Sequence, residues 1–141
     1  MEYFNIEHYL PQKHPFIFVD KILDGNEKFC ITSFSVEATN ILLSGSQLSE
    51  AGILENVAQT CASHIGYAEI HIRHNPVKIG VVGTYKNFVI HRLPHIGENL
   101  HTHAEELENF DTLSIYTAKT MVGDEVVAEG EIHVALTEDI C

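Results

Sequence analysis

Apolar and polar positions alternate along most of this chain, and one stretch replaces the alternation with a period near that of a helix. Phe16 to Leu23 is aromatic and β-branched and closes on Asp24-Gly25-Asn26, a hairpin signal. Phe29 to Val36 follows, with Phe29, Ile31, Ser33 and Ser35 on one side and Cys30, Thr32, Phe34 and Val36 on the other. The two segments are expected to pair as antiparallel strands. Ahead of them, Pro11 and Pro15 punctuate a turn after a single helical turn over Glu7 to Leu10. From about Gln47 to about Ile72 the spacing changes: Ala51, Leu54, Ala58, Cys61, Ile65 and Ala68 recur three and four apart and lay one apolar stripe along a long helix. Ser46 or Ser49 can cap its start, and Asn75-Pro76 ends it. Ala51, Gly52, Ala58, Ala62, Ser63 and Gly66 make the helix thin enough for a sheet or another backbone to approach closely.

Beyond the helix the alternation predicts four strands, Lys78 to Ile90, Asn99 to Leu107, Thr112 to Met121 and Val126 to Leu136. They are separated by turns at Pro94 to Gly97, Asn109 to Asp111 and Gly123-Asp124. Each strand asks for one buried face, and one helix is available to cover it. The expected class is therefore α+β, an antiparallel sheet with a single long central helix on one face. No repeat or linker divides the chain, so one domain spanning residues 1–141 is expected.

Composition narrows the function classes. With 141 residues and 45% apolar content the chain can bury a core without disulfides or a structural metal. Twenty acidic groups against eight basic ones, a net charge of −12, argue against duplex nucleic acid and against an anionic membrane surface. The charge is unevenly spread: residues 1–69 carry 3 basic and 9 acidic groups, 70–104 carry 4 and 1, and 105–141 carry 1 and 10. The middle segment is a basic island of Arg73, Lys78, Lys86 and Arg92 with six histidines interspersed. Cys30, Cys61 and Cys141 show no CxxC spacing, which suits reduced thiols. Residues 1–9 hold Glu2 and Glu7 and no long apolar run, so neither a secretory nor a transit signal is expected. No run approaches the ~18 apolar residues of a membrane span, and a cytoplasmic location is the expectation.

Three motifs carry a family resemblance. Leu10-Pro11-Gln12-Lys13-His14-Pro15-Phe16-Ile17-Phe18-Val19-Asp20-Lys21-Ile22 resembles the opening signature of 3-hydroxyacyl-acyl carrier protein dehydratases of the FabZ type, which have a hotdog fold, an antiparallel sheet wrapped around one long central helix. Leu54-Glu55-Asn56-Val57-Ala58-Gln59 is similar to that family's LExxAQ, and Tyr85-Lys86-Asn87-Phe88 with Pro94 to Glu98 is similar to its later strand and turn. Ser46 to Gln59 resembles more closely the helix entry GHLPxxxxLExMAQ of the dehydratase-like proteins of aryl polyene and flexirubin pigment clusters. The resemblance implies a dimer, or an oligomer with another hotdog protein, acting on thioesters of acyl carrier protein or coenzyme A, with no cofactor and no metal. It also implies a catalytic histidine eight positions before Glu55, where this chain has Gln47, and a second histidine where it has Gln12.

Dehydration of a 3-hydroxyacyl thioester needs a base for the α proton and an acid for the departing hydroxyl. The resemblance gives Glu55 the acid or water-orienting role, at a place on the helix where a covering sheet could take it out of water. Gln47 cannot titrate and can only donate and accept hydrogen bonds. Gln59, one turn beyond Glu55, could orient the carboxylate, or equally serve packing. His64 lies about 13.5 Å along the helix from Glu55 at 1.5 Å per residue, too far to share its atoms, while His14 and His95 are in loops and could approach from elsewhere, including a partner subunit. His71/His74 and His101/His103 have metal-compatible spacings without a third ligand. Leu54 and Ala58 would line an acyl tunnel between helix and sheet. Lys86 and Arg92 would meet an acidic carrier protein, or else pair with the chain's own acidic last third. Three functions remain open on the sequence: a working dehydratase with Gln47 in a modified role, a non-catalytic subunit beside an active hotdog partner, and a thioesterase.

Overall fold

The computed structural model describes residues 6, 9, 10, 13–74, 79–110 and 112–137. Glu2, Glu7, Pro11, Gln12, Asn75, Pro76, Lys78, Asp111 and Cys141, named in the sequence expectations, lie outside these residues, as does the start of the helical turn expected over Glu7 to Leu10. In chain order the elements are β1 (Lys21–Gly25), β2 (Phe29–Ser35), β3 (Leu43–Ser44), β4 (Gln47–Leu48), α1 (Glu50–His71), β5 (Ile79–Ile90), β6 (Asn99–Asn109), β7 (Leu113–Val122) and β8 (Glu125–Thr137). Six strands form one sheet in the order β1-β2-β6-β7-β8-β5, with every pairing antiparallel. β3 and β4 make a separate two-stranded hairpin. This antiparallel sheet over one helix is the expected α+β hotdog arrangement.

Alternation reads correctly on β2, on β7 as far as Thr120 and on β6 as far as Ala104, where every second residue is buried. Cys30, Thr32 and Phe34 face the helix, as do Leu100, Thr102 and Ala104, and Ser114, Tyr116, Ala118 and Thr120. The helix side contributes Ile53, Val57, Ala58, Cys61 and Ile65. Full burial of a Val, Ile or Phe side chain stabilises by about 1.5–3 kcal/mol, so these facing rows hold helix and sheet together.

Three expectations are corrected. The helix begins at Glu50, not Gln47: Ser49 is its N-cap, its Oγ accepting the Gly52 N–H at 3.2 Å. Gln47 and Leu48 belong to β4, and Gly45 between the short strands takes φ 64, a left-handed conformation that costs glycine nothing for want of a Cβ. Within Phe16 to Leu23 the paired strand starts only at Lys21, because the preceding residues run along α1 and bond to its side chains. The apolar stripe is buried at Ala58, Cys61, Ile65 and Ala68 but not at its start, and polar residues are buried beside it. Ala51 is exposed and Leu54 half-buried, whereas Asn56, Gln59, Thr60, Ser63 and His64 are buried. The sheet covers one face of α1, and Ile6, Tyr9, Leu10, Ile17 and Val19 cluster with Ala62, Tyr67 and Ile70 on another. Gly66 marks that second contact, since a Cβ there would lie 3.0 Å from the Tyr9 carbonyl oxygen.

His64 shows how polar groups are accommodated inside. Its Nε2 lies 3.0 Å from the Asn26 carbonyl, which can only accept, so Nε2 carries the proton. Nδ1 then accepts the Tyr116 hydroxyl at 2.6 Å. Burial holds the imidazole below its ordinary pKa. Between that lowered value and about 6.5 the unfolded chain binds a proton that the folded chain does not. The contribution is therefore fully present above about pH 6.5 and lost as the pH falls. Urea melts at pH 7.5 and 5.5 should show a loss of stability at the lower pH that is smaller in His64→Gln; an equal loss in both proteins would refute the assignment.

Candidate active site

The N-terminal half of α1 carries the polar groups that the apolar stripe did not predict. Glu55 and Gln59 are one turn apart on one face, and Gln59 Nε2 donates to Glu55 Oε1 at 3.0 Å. Gln59 is 1% exposed, and each of its amide hydrogens has a partner: one goes to Glu55, the other to the Phe16 carbonyl at 2.9 Å. Its Oε1 accepts the Phe18 N–H at 2.7 Å. Asn56, fully buried, completes the grip by donating to the Phe18 carbonyl at 2.7 Å. Two helix side chains thus stand where a neighbouring strand would be, bonding Phe18 on both its N–H and C=O. Any buried backbone group left without such a partner would cost about 1–3 kcal/mol, which explains why polar residues occupy this helix face.

A row of hydroxyls fixes Asn56 in turn. Thr102 donates to Asn56 Oδ1 at 2.6 Å, so Thr120, 2.9 Å away, donates to Thr102. Thr60 donates to the Asn56 carbonyl at 2.8 Å, which leaves Thr32 to donate to Thr60 at 2.8 Å. Each hydroxyl has one proton, so the directions follow from the acceptor at the end of each row. The outcome is a half-buried Glu55 whose Oε1 is held by an amide that cannot turn. Such a carboxylate is ready for proton transfer or for orienting water.

Tyr85, on edge strand β5, reaches the same part of α1. Its hydroxyl donates to the Leu54 carbonyl at 2.6 Å. Burial first, then the nearby Cys61 and Glu55, raises the phenol well above its ordinary pKa. Tyr85 and Phe88 meet edge to face at 5.5 Å and pack on the cluster containing Val57, Ala58 and Cys61. The Cys30 and Cys61 thiols are free and buried, and burial pushes both upward in pKa, away from the reactive thiolate.

Gln47 sits in β4 directly across from His95. The Leu48 N–H donates to the Pro94 carbonyl at 2.8 Å and the Ile96 N–H to the Ser46 carbonyl at 2.9 Å. Those bonds flank the Gln47/His95 pair, making it a non-hydrogen-bonded antiparallel pair with both side chains on one face and the closer Cα spacing. The turn carrying His95 is braced: its N–H donates to Glu98 Oε1 at 2.8 Å, and Arg92 grips both oxygens of Glu98 at 2.8 and 2.9 Å. Arg92 Nε also reaches Glu125 at 3.0 Å. The Arg92 guanidinium holds the Glu98 carboxyl down at about 2.

The structure thus joins Glu55 with Gln59, Gln47 with His95, and Leu54 with Tyr85. It places Arg92 in an internal ion-pair cluster that includes an acid of the last third, the intramolecular alternative. Lys86 is exposed on β5, in register with Glu131 of β8. Ala58 is 5% exposed within the packed core. His14 lines a separate open cavity of about 140 Å³ with Ile17, Asp20, Phe34, Ser35 and Glu37, which neither Glu55 nor Gln47 lines. His71 bonds the Tyr9 hydroxyl at 2.6 Å, and His101 and His103 are exposed on the outer face of the sheet. Asn56 and Tyr85 were missed as site residues. Asn56 had a signal, a polar side chain three residues before Gln59 on a helix face otherwise reading as apolar; Tyr85 had none beyond its aromatic character.

The ApeP-like family, described as ApeP dehydratase, matches residues 4–140. No curated protein matches the chain. Among solved structures it is similar to the dehydratase heterocomplex ApeI:P from Xenorhabdus doucetiae, with TM-score 0.83 and 14% identity over 96% of this chain and 93% of that one. It is also similar to smu.793 from Streptococcus mutans UA159 bound to acetyl CoA, with TM-score 0.71 and 11% identity over 94% and 99%. A hypothetical thioesterase with coenzyme A from Streptococcus pneumoniae TIGR4 follows, with TM-score 0.67 and 9% identity over 85% and 87%. Among the described residues no helix is long and apolar enough to cross a membrane.

Proposed function

This chain belongs to the ApeP-like family, and from that premise we propose that it handles acyl thioesters at the N-terminal half of α1 by dehydratase-type chemistry, with Glu55 as the group that protonates the leaving hydroxyl or orients water. The observation that carries this reading is the grip of Gln59 on Glu55. Two of the bonds of this buried amide hold the Phe16 and Phe18 backbone, so it cannot turn, and its third fixes one oxygen of the Glu55 carboxylate in place. Gln47 takes a hydrogen-bonding role, and His95 beside it supplies the imidazole able to take the α proton. In that step the Cα–H bond breaks towards His95, Cα=Cβ forms, and the Cβ–O bond breaks as the hydroxyl gains a proton and leaves as water. The thioester is carried by acyl carrier protein or coenzyme A, and Lys86 is the exposed cation of β5 available to an acidic carrier.

A second reading is a non-catalytic subunit paired with an active hotdog protein. It is favoured by the amide at Gln47, which cannot titrate, and by the similarity to a heterocomplex of dehydratases. Thioester hydrolysis by a Glu55-activated water is the remaining alternative, supported by the similarity to a hypothetical thioesterase.

Incubation with a 3-hydroxyacyl carrier protein, alone and with a partner hotdog dehydratase, separates the three by mass spectrometry of enoyl and free-acid products. Enoyl product from this protein alone, reduced roughly 100-fold or more in Glu55→Gln and in His95→Ala, is the expected result. Free acid as the sole product identifies a thioesterase. Absence of any product unless the partner is present, with Glu55→Gln then as effective as wild type, overturns the catalytic reading.

A further inference from the structure

We propose that Tyr85 sets the acyl length accepted at the Glu55 site, its ring filling the space between α1 and β5 that the alkyl end of a longer acyl thioester would occupy; this rests on the acyl-thioester reading of that site. Three observations place the ring there. Its hydroxyl is bonded to the carbonyl of Leu54, the residue before Glu55. Its half-buried ring packs on the core cluster that contains Val57, Ala58 and Cys61, and replacing the phenol by a methyl group there leaves room for several methylenes. It also stands on the strand at the sheet edge, where β5 pairs on one side with β8.

The backbone around Tyr85 is suited to movement of this one ring. The pairing of β5 with β8 slips register between Val82 and Thr84 and again between Lys86 and Val89, so a regular stretch of three residues carries Tyr85 between two irregularities. Phe88, in contrast, is held by backbone: a Cβ on Gly130 would come within 2.5 Å of Phe88 Cα, so the two chains already touch there. With the Tyr85–Leu54 bond made, a chain entering past Glu55 meets the ring and stops. With the bond broken and the ring turned outward along the edge, the surface of Ala58 and Cys61 is uncovered to the chain. The fixed Phe88 forms the far wall. Tyr85 touches no reacting atom and acts as a specificity residue.

The test is binding of butyryl-, octanoyl- and dodecanoyl-coenzyme A, saturated thioesters that cannot be dehydrated, measured by titration calorimetry. Each methylene that becomes buried is expected to contribute roughly fourfold in affinity. Wild type should gain little from butyryl to octanoyl, whereas Tyr85→Ala should favour octanoyl by at least about tenfold relative to wild type. Tyr85→Leu, which keeps a packed side chain, should shift in the same direction by less, and Thr84→Ala, an exposed position of the same strand, should leave the length profile as it is. Circular dichroism establishes that each variant is folded. An unchanged profile in folded Tyr85→Ala or Tyr85→Leu overturns the proposal while leaving acyl binding intact. Failure of wild type to bind any of the three acyl groups, whether presented on coenzyme A or on an acyl carrier protein, overturns the acyl-thioester reading itself, and the proposal with it.

Discussion

Gln59→Leu should lower stability by about 3–5 kcal/mol, because leucine fills the volume but leaves the Phe18 N–H and Phe16 C=O without partners in a buried place. Against a total stability of about 5–15 kcal/mol this is a large fraction, and it corresponds to a fall in Tm of roughly 10–20 °C for a domain of this size. The same change frees Glu55 Oε1 from the amide that fixes it. Hydrogen exchange gives the local readout. The Phe18 amide, protected in wild type by Gln59 Oε1, should exchange faster in the variant, while amides of the β6–β7 pairing keep their order of protection. Equal exchange of Phe18 in both proteins, with Tm unchanged, would mean that packing alone holds the Phe16–Phe18 segment and that Gln59 is not the anchor of the Glu55 site.

Gly130→Val should be comparably severe for a different reason. The pairing of β5 with β8 skips from Lys86↔Glu131 to Val89↔Glu129, so Asn87 and Phe88 bulge opposite Gly130. Asn87 takes φ 51 to do so, and a Cβ on Gly130 would stand 2.5 Å from Phe88 Cα and 2.9 Å from the Asn87 carbonyl oxygen. Backbone on both sides cannot yield as a side-chain tip can. Overpacking in a tight core costs about 1–3 kcal/mol and more where backbone must move, so a loss of about 3 kcal/mol or more is expected, concentrated in β5. Chemical denaturation should register it, and exchange protection should fall along β5 before it falls along β6 and β7. Gly130→Ala with wild-type stability would show that the bulge has slack that these distances do not suggest.

The two predictions mark different distances from the sequence. The chemistry of Glu55 and Gln59 was legible as a pair, since four residues along a helix is one turn and an amide one turn from a carboxylate can bond to it. What Gln59 does beyond that was not. Its remaining donor and its acceptor go to Phe16 and Phe18, more than forty positions away in the chain, and no local pattern encodes a contact of that separation. The same holds for Arg92, whose ambiguity between carrier and internal acid is resolved by Glu98 and Glu125 standing around it. Gln47 and His95 are 48 positions apart, and their pairing depends on the turn at Pro94 folding back against the entrance to α1.

By itself the sequence determined the long helix, the principal strands and the class. Alternation over β2, β6 and β7 and a helical period over α1 are local consequences of a two-residue strand repeat and a 3.6-residue helix repeat, and one helix with several one-faced strands has few ways to bury its apolar surface. The tertiary structure decided which polar residues work together. It put Phe16–Phe18 against the helix side chains rather than a strand, bonded Tyr85 to the Leu54 carbonyl, enclosed α1 on a second face, and buried His64 against Tyr116 and the Asn26 carbonyl. Each of these rests on satisfying buried donors and acceptors across long stretches of chain. That requirement is met by where the elements pack in space, and residue type and spacing alone do not specify it.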